Sequence, residues 1–222
     1  MIRQAGGESC VDGVAYAPHR LPDVQAIGCD WYAFSTYKVF GPHMAVLFGT
    51  RSALTGLPGP NHYFVPEHDV EYRFELGGVN HEGCAAWVGT SEYLAWLGGG
   101  ALADRETLGK AFASMRDHEL PLQHRLIDFL ASKPSVRLVG PESTGDDRVS
   151  TISFVSSKTP SERLAKTANA AGLGIRFGHF YSHRLCQALG LEPADGVTRA
   201  SLVHYNTAFE VDRLIEHLDP ML

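Results

Sequence analysis

The chain has 222 residues, 44% of them hydrophobic and 20% charged, the balance of an ordinary globular protein with apolar material for one large core or two smaller ones. Its formal charge of -6, with no run of like charges, gives no attraction to nucleic acid or to an anionic lipid surface. Cys10, Cys29, Cys84 and Cys186 are scattered without a CxxC pair, no stretch approaches the ~20 apolar residues of a membrane span, and the first residues lack a secretory signal. A reduced, cytoplasmic protein acting on a small molecule is the expectation, with no nucleic-acid or membrane partner.

The first dozen residues read as the end of a helix (Ile2–Ala5), a Gly6-Gly7 stop and a strand over Ser9–Asp12, so the chain reads as beginning in mid-fold. A short helix over Val24–Ile27 and a strand over Trp31–Phe34 follow, then the loop Ser35-Thr36-Tyr37-Lys38. The apolar run Met44–Phe48 reads as a buried strand between Gly41-Pro42 and Gly49. A Pro/Gly-rich loop, Leu57–Pro60, precedes a polar and aromatic stretch reaching Glu75. Helical patterning covers Glu82–Leu97 and Asp104–Ser132, the latter with an apolar stripe of Leu120, Leu122, Leu126, Ile127 and Leu130.

From about Pro134 the elements shorten. Strands are predicted over Val136–Val139, Ser150–Ser156, Leu173–Phe177 and Thr198–Tyr205, and helices over Ser161–Ala171 (with Ser161 as N-cap), His183–Leu189 and Phe209–Leu218. The predicted class is α/β: residues 1–132 form part of a large domain and residues 133–222 a small α+β domain.

Asp12 ends one predicted strand and Lys38 follows the next, 26 residues later, which suits one βα turn and return. Both would emerge at the C-terminal edge of a parallel sheet, where open α/β folds bind ligands. A buried carboxylate facing a lysine there suits pyridoxal 5'-phosphate (PLP): the lysine forms a Schiff base with the aldehyde, and the carboxylate keeps the pyridine nitrogen protonated. Taken alone, an Asp and a Lys near strand ends are more commonly plain surface residues. No GxGxxG follows a strand, which weighs against a dinucleotide site.

The flanking residues point further. The stretch VDGVAYAPHRLPDVQAIGCDWYAFSTYKVFGPHMAVLFG, Val11 to Gly49, resembles the cofactor segment of class V aminotransferases and their relatives the cysteine desulfurases, PLP enzymes of fold type I. Arg73–Asn80 is similar to the family's RFE-x-GT-x-N loop, and Val197–Thr207, followed by Glu210-Val211-Asp212, is similar to its small-domain ending. The resemblance reaches from Asp12 to Asp212 and covers only the C-terminal half of a family member. It implies the last portion of a fold type I large domain followed by the small domain.

The resemblance also implies roles. Lys38 becomes the Schiff-base lysine and proton-transfer base, and Asp12 the pyridinium partner. Ser35 and Tyr37 become phosphate contacts, Tyr37 standing where relatives often have His. Gly78, in place of a Thr that reaches the phosphate across a dimer, could contribute a backbone N–H. Arg199 becomes the clamp for a substrate α-carboxylate, a bidentate task that Lys cannot copy. Among His19, His43 and His179, His43 is the leading contact to cofactor or substrate.

Two departures shape the expected chemistry. Ala15 stands where many relatives have a Gln touching the ring hydroxyl. In Gly174–Ser182, similar to the desulfurase run ending GH-H-C, Tyr181 occupies the place of the nucleophilic Cys, and a phenol cannot carry a persulfide as a thiolate does. Cys186, five residues later, reads as a small buried hydrophobe. The resulting expectation is an amino-acid transaminase, epimerase or eliminating lyase, homodimeric in its full-length context. The alternative is an inactive fragment that acts by associating with a partner.

Overall fold

The computed structural model describes residues 2–59, 62–75, 77–145 and 147–222. Pro60, in the predicted loop, and Leu76, in the Arg73–Asn80 segment, lie outside the described residues. The chain divides into two units, Met1–Ser114 and Met115–Leu222.

In the first unit, the Asp30 carboxylate accepts from the Ser9 backbone N–H (2.9 Å) and hydroxyl (3.1 Å). The strands that follow these residues, β1 (Cys10–Asp12) and β2 (Trp31–Ser35), therefore start side by side. They pair in parallel, Cys10 opposite Trp31 and Asp12 opposite Ala33. The crossover carries α1 (Val24–Ile27), capped by the Asp23 carboxylate and ended by Gly28 at φ 67°, a left-handed conformation that suits glycine.

The third strand, β3 (Ala45–Gly49), runs antiparallel beside β2, so the sheet order is β1-β2-β3. The expectation of a buried strand fails here: Val46 is 37% and Leu47 60% exposed. An apolar run reports strand propensity, but burial depends on the strand's place in the sheet, and β3 lies at an edge. Two short helices lie where the sequence predicts no element: α2 (Arg51–Gly56), ahead of the Leu57–Pro60 loop, and α3 (Val70–Phe74), inside the polar and aromatic stretch reaching Glu75. They begin on side-chain caps from Thr50 and Asp69, as α4 (His81–Leu97) begins on Asn80.

The division between the units falls inside α5 (Arg105–Ala131). The reason lies in what each half of the helix packs against. Leu108 and Phe112 line an apolar cavity of about 280 Å³ with Tyr32, Phe34, Trp87 and Leu94 of the first unit. Leu122, Leu126, Ile127 and Leu130 join the core of the second. Leu120 is only half-buried, since the i, i+4 spacing of 122, 126 and 130 leaves it off the stripe. The helix also continues through Pro121, although a proline there removes one backbone hydrogen bond.

In the second unit, β4 (Val136–Leu138), β5 (Thr151–Ser156), α6 (Ser161–Ala170), β6 (Arg176–Gly178), α7 (His183–Ala188), β7 (Val197–Ser201) and α8 (Ala208–Leu218) follow in turn. The sheet is antiparallel throughout with order β4-β5-β7-β6. Ile152, Phe154, Leu164, Ala168, Ala200 and Leu214 represent the core that β5, β7, α6 and α8 build on one side of it. The last strand ends at Ser201, short of the predicted Tyr205, because Asn206 turns the chain: its Oδ1 accepts the Val203 N–H at 2.9 Å. Thr207 and Glu210 then form a capping box that opens α8.

The N-cap assigned to Ser161 is corrected. Ser161 is the first helical residue, and the carboxylate of Asp195 caps α6 from outside, accepting the N–H groups of Ser161 (2.8 Å) and Glu162 (2.9 Å). The helix macrodipole reinforces an anion there. Replacing Asp195 by Ala is expected to destabilise the chain by about 1–2 kcal/mol, read as a lower urea midpoint, while Ser161→Ala changes it little.

Candidate functional site

Parallel pairing of β1 and β2 sends both C-terminal ends to one edge of the sheet, and strands in such a pair lie ~4.8 Å apart. Asp12 is the last residue of β1. Lys38 sits in a single 3₁₀ turn, Thr36–Val39, directly after β2. Among the described residues, the structure therefore brings Asp12, Ser35, Tyr37 and Lys38 to the same edge.

The two charged groups are exposed, where the sequence reading expects a buried carboxylate. Asp12 lies at the end of a three-residue strand whose second edge is unpaired among the described residues, so nothing there removes it from water. Its Oδ1 accepts the Val14 N–H at 3.0 Å, which orients the carboxylate. Lys38 makes no hydrogen bond or ion pair among the described residues. Ser35 occupies the N-cap position of the 3₁₀ turn without using its hydroxyl as a cap.

A residue that the sequence reading passed over holds this loop. Thr36 is 1% exposed, and its hydroxyl donates to the Pro42 carbonyl (2.5 Å) while accepting the Met44 N–H (3.2 Å). Its backbone adds two more bonds, N–H to the Met44 carbonyl at 3.0 Å and carbonyl from the Gly41 N–H at 2.9 Å. Gly41 must be glycine-sized, since a Cβ there would approach the Trp87 ring to 2.6 Å. Thr36, between Ser35 and Lys38, thus fixes where the lysine emerges.

Tyr32 supports the Asp12 end in a similar way. It is 2% exposed, and a Cβ on Gly13 would overlap its phenol, so Gly13 and Tyr32 fit only as a pair. Burial, then Tyr16, Cys29 and Asp12, raise the Tyr32 pKa above its ordinary value. Its hydroxyl has no hydrogen-bond partner among the described residues.

Tyr37 and His43 are brought together, their exposed rings stacked with centroids 5.1 Å apart. Gly78 has φ +112°, a conformation suited to glycine, but its N–H already donates to the Glu75 carbonyl at 3.2 Å. Arg73 of the same segment is buried, donating to the carbonyls of Glu67 (2.7 Å), Leu54 (3.1 Å) and Leu57. That segment is a structural clasp for the preceding loop. His19 is buried rather than at the edge's surface.

In the second unit, Arg199 is half-buried on β7, and burial lowers its pKa from the ordinary arginine value. The Phe180 ring lies 3.7 Å from its guanidinium carbon, a cation–π contact. Phe180 (φ 47°) and Tyr181 (φ 65°) are both left-handed, the Tyr181 N–H donates to His179 Nδ1 at 3.1 Å, and the Tyr181 side chain is fully exposed. Cys186 is buried in α7, as a small hydrophobe would be.

A carboxylate held by a backbone amide, an amine with no partner and an uncommitted hydroxyl at one parallel-sheet edge form a donor set that fits PLP. No group of three or more His, Cys, Asp or Glu suited to a metal ion occurs among the described residues, and among these no helix is long and apolar enough to cross a membrane.

Known proteins resemble the chain over nearly its whole length. The family model described as aminotransferase class-V matches residues 1–214. An aminotransferase-like protein of Gibberella zeae is 40% identical over 220 residues, covering 98% of this chain and 52% of its own length. A cysteine desulfurase-like protein of Aspergillus flavus is 32% identical over 217 residues, covering 96% and 47%. The crystal structure of the cysteine desulfurase CsdA from Escherichia coli matches with a TM-score of 0.71 at 26% identity, over 99% of this chain and 53% of that one. The chain spans about half the length of these relatives.

Replacing Thr36 by Val keeps the shape but removes the hydroxyl's bonds to the Pro42 carbonyl and the Met44 N–H, the latter keeping the Pro42 carbonyl as acceptor at 2.8 Å. A loss of about 1 kcal/mol is expected in urea unfolding, and Thr36→Ser is expected to recover most of it.

Proposed function

Because this chain belongs to the class-V aminotransferase family, we propose that it carries the lysine-bearing part of a PLP enzyme acting on an amino acid. The observation that supports this most directly is the parallel register that brings Asp12 and Lys38 to one edge, with the Lys38 amine uncommitted. PLP, when bound, supplies an electron sink for charge developing at the substrate Cα.

The residues divide the remaining work. Lys38 would hold the cofactor through its amine. The Lys38 amine, when it is not holding the cofactor, would take and return a proton at the substrate Cα. Asp12, negative and oriented by the Val14 N–H, would keep a proton on the ring nitrogen. Ser35 and Tyr37 would donate to the phosphate as neutral hydroxyls. Gly78 enters this reading with a cost, because its N–H must first leave the Glu75 carbonyl.

In the second unit, Arg199 is the group suited to a substrate carboxylate, since it has no ion pair among the described residues and offers N–H donors in one plane. Tyr181 argues against persulfide chemistry, because a phenol is a poor nucleophile at neutral pH. Transamination, epimerisation or elimination is therefore favoured, by an enzyme that is homodimeric in its full-length form. The exposure of Asp12 and Lys38 supports one other reading, an inactive segment that works by association.

Adding PLP to the purified chain is expected to produce the yellow absorbance band of a lysine-bound cofactor, absent from Lys38→Ala and weakened by Asp12→Asn. Identical free-PLP spectra for the parent and Lys38→Ala would reject a working lysine in this chain and favour the inactive segment.

A further inference from the structure

The ladder of the second sheet sets two arginines directly opposite one another. Arg199 on β7 pairs with Ser153 on β5 and with Arg176 on β6. Directly paired residues project from the same face of a sheet. The neighbouring pairs Ile152 with Ala200 and Phe154 with Thr198 are buried, so Arg176 and Arg199 share the face turned away from the core.

Like charges in direct cross-strand register repel and destabilise the pairing. No carboxylate of the sheet itself offsets them, as none of the residues of β4, β5, β6 and β7 is Asp or Glu. Neither Arg176 nor Arg199 makes an ion pair or a hydrogen bond among the described residues. Arg137, on the same face, differs: its guanidinium reaches the Leu189 carbonyl at 3.4 and 3.5 Å.

We propose that Arg176 is a specificity-determining residue and that this face takes a short dicarboxylic ligand, with one carboxylate on Arg199 and the other on Arg176. The proposal rests on the reading of Arg199 as a carboxylate grip, and extends it to a substrate with a second acid group. Phe180 closes one face of the Arg199 guanidinium at 3.7 Å and leaves the in-plane N–H donors, which suits bidentate binding. Opposed residues in an antiparallel pair have Cα atoms ~4.5–5.5 Å apart, so the two heads can meet carboxylates separated by a few carbons. Such a ligand turns the repulsion of the empty face into attraction, and a monocarboxylate can do so for one arginine only.

The test is a titration of the 15N-labelled chain, following arginine Nε–H signals assigned by Arg176→Lys and Arg199→Lys. Succinate, propionate and inorganic phosphate are compared at one pH and ionic strength. Both signals are expected to move with succinate, at least tenfold tighter than with propionate, and Arg176→Gln is expected to bring succinate down to the propionate level. That factor corresponds to about 1.4 kcal/mol. Arg176 is exposed, so this variant should keep its far-ultraviolet circular dichroism.

Equal affinity for succinate and propionate, both moving the Arg199 signal, would overturn the diacid proposal and leave Arg199 as a simple carboxylate grip. A succinate preference that survives Arg176→Gln would overturn the role of Arg176. Phosphate binding as tightly as succinate would reduce the face to a general anion site. An Arg199 signal unmoved by every acid would reject the grip and the proposal together.

Discussion

The parallel pairing of β1 with β2 is the constraint on which the candidate site depends. Had the strands paired antiparallel, the end of one would lie beside the start of the other, and Asp12 and Lys38 would leave the sheet at opposite edges. The Asp30 carboxylate protects that pairing by binding the Ser9 N–H and hydroxyl just ahead of both strands. Its bonds act at the end of the sheet away from Asp12 and Lys38, which leaves the chemical end free of structural carboxylates. A short helix capped by Asp23 is sufficient for the crossover. Thr36 then does locally what the register does globally, converting a strand end into a loop of fixed shape.

Much of this was legible in the residues. Val24–Ile27 announces itself by Asp23 before it and Gly28 after it, and the order of strands and helices follows from such punctuation. Less legible were features that depend on partners remote in sequence. The Met44–Phe48 run is apolar because it is a strand, yet its exposure follows from its place at the sheet edge. The capping of α6 by Asp195 spans 34 residues, and no local pattern marks it. The boundary inside α5 reflects two successive packing surfaces on one unbroken helix, which periodicity alone reads as a single stripe.

The candidate site divides in the same way. Asp12, Ser35, Lys38 and Arg199 stand out through residue type and neighbourhood. Thr36 and Arg176 do not, because their importance lies in register and burial. Arg176 in particular reads as an ordinary polar residue in an exposed strand until β7 is seen to insert between β5 and β6. Its opposition to Arg199 then becomes a property of topology, since β6 and β7 meet only across α7 and its flanking turns.

The loop from Gly178 to Ser182 shows how folding and chemistry are separated at one position. Left-handed backbone at Phe180 and Tyr181 costs of order 1–2 kcal/mol for each non-glycine residue. The His179 carbonyl and Nδ1, accepting the N–H groups of Ser182 and Tyr181, offset part of this cost, and the Phe180 contact with Arg199 adds to the balance. Tyr181 contributes its amide to that balance and nothing from its ring, which is fully exposed. The fold's demand at position 181 is therefore one of backbone only: the left-handed conformation favours Gly or Asn and penalises β-branched residues, while the ring itself is held by nothing. A glycine or asparagine in its place would keep the turn, since the bonds that hold it come from the backbone amides and from His179.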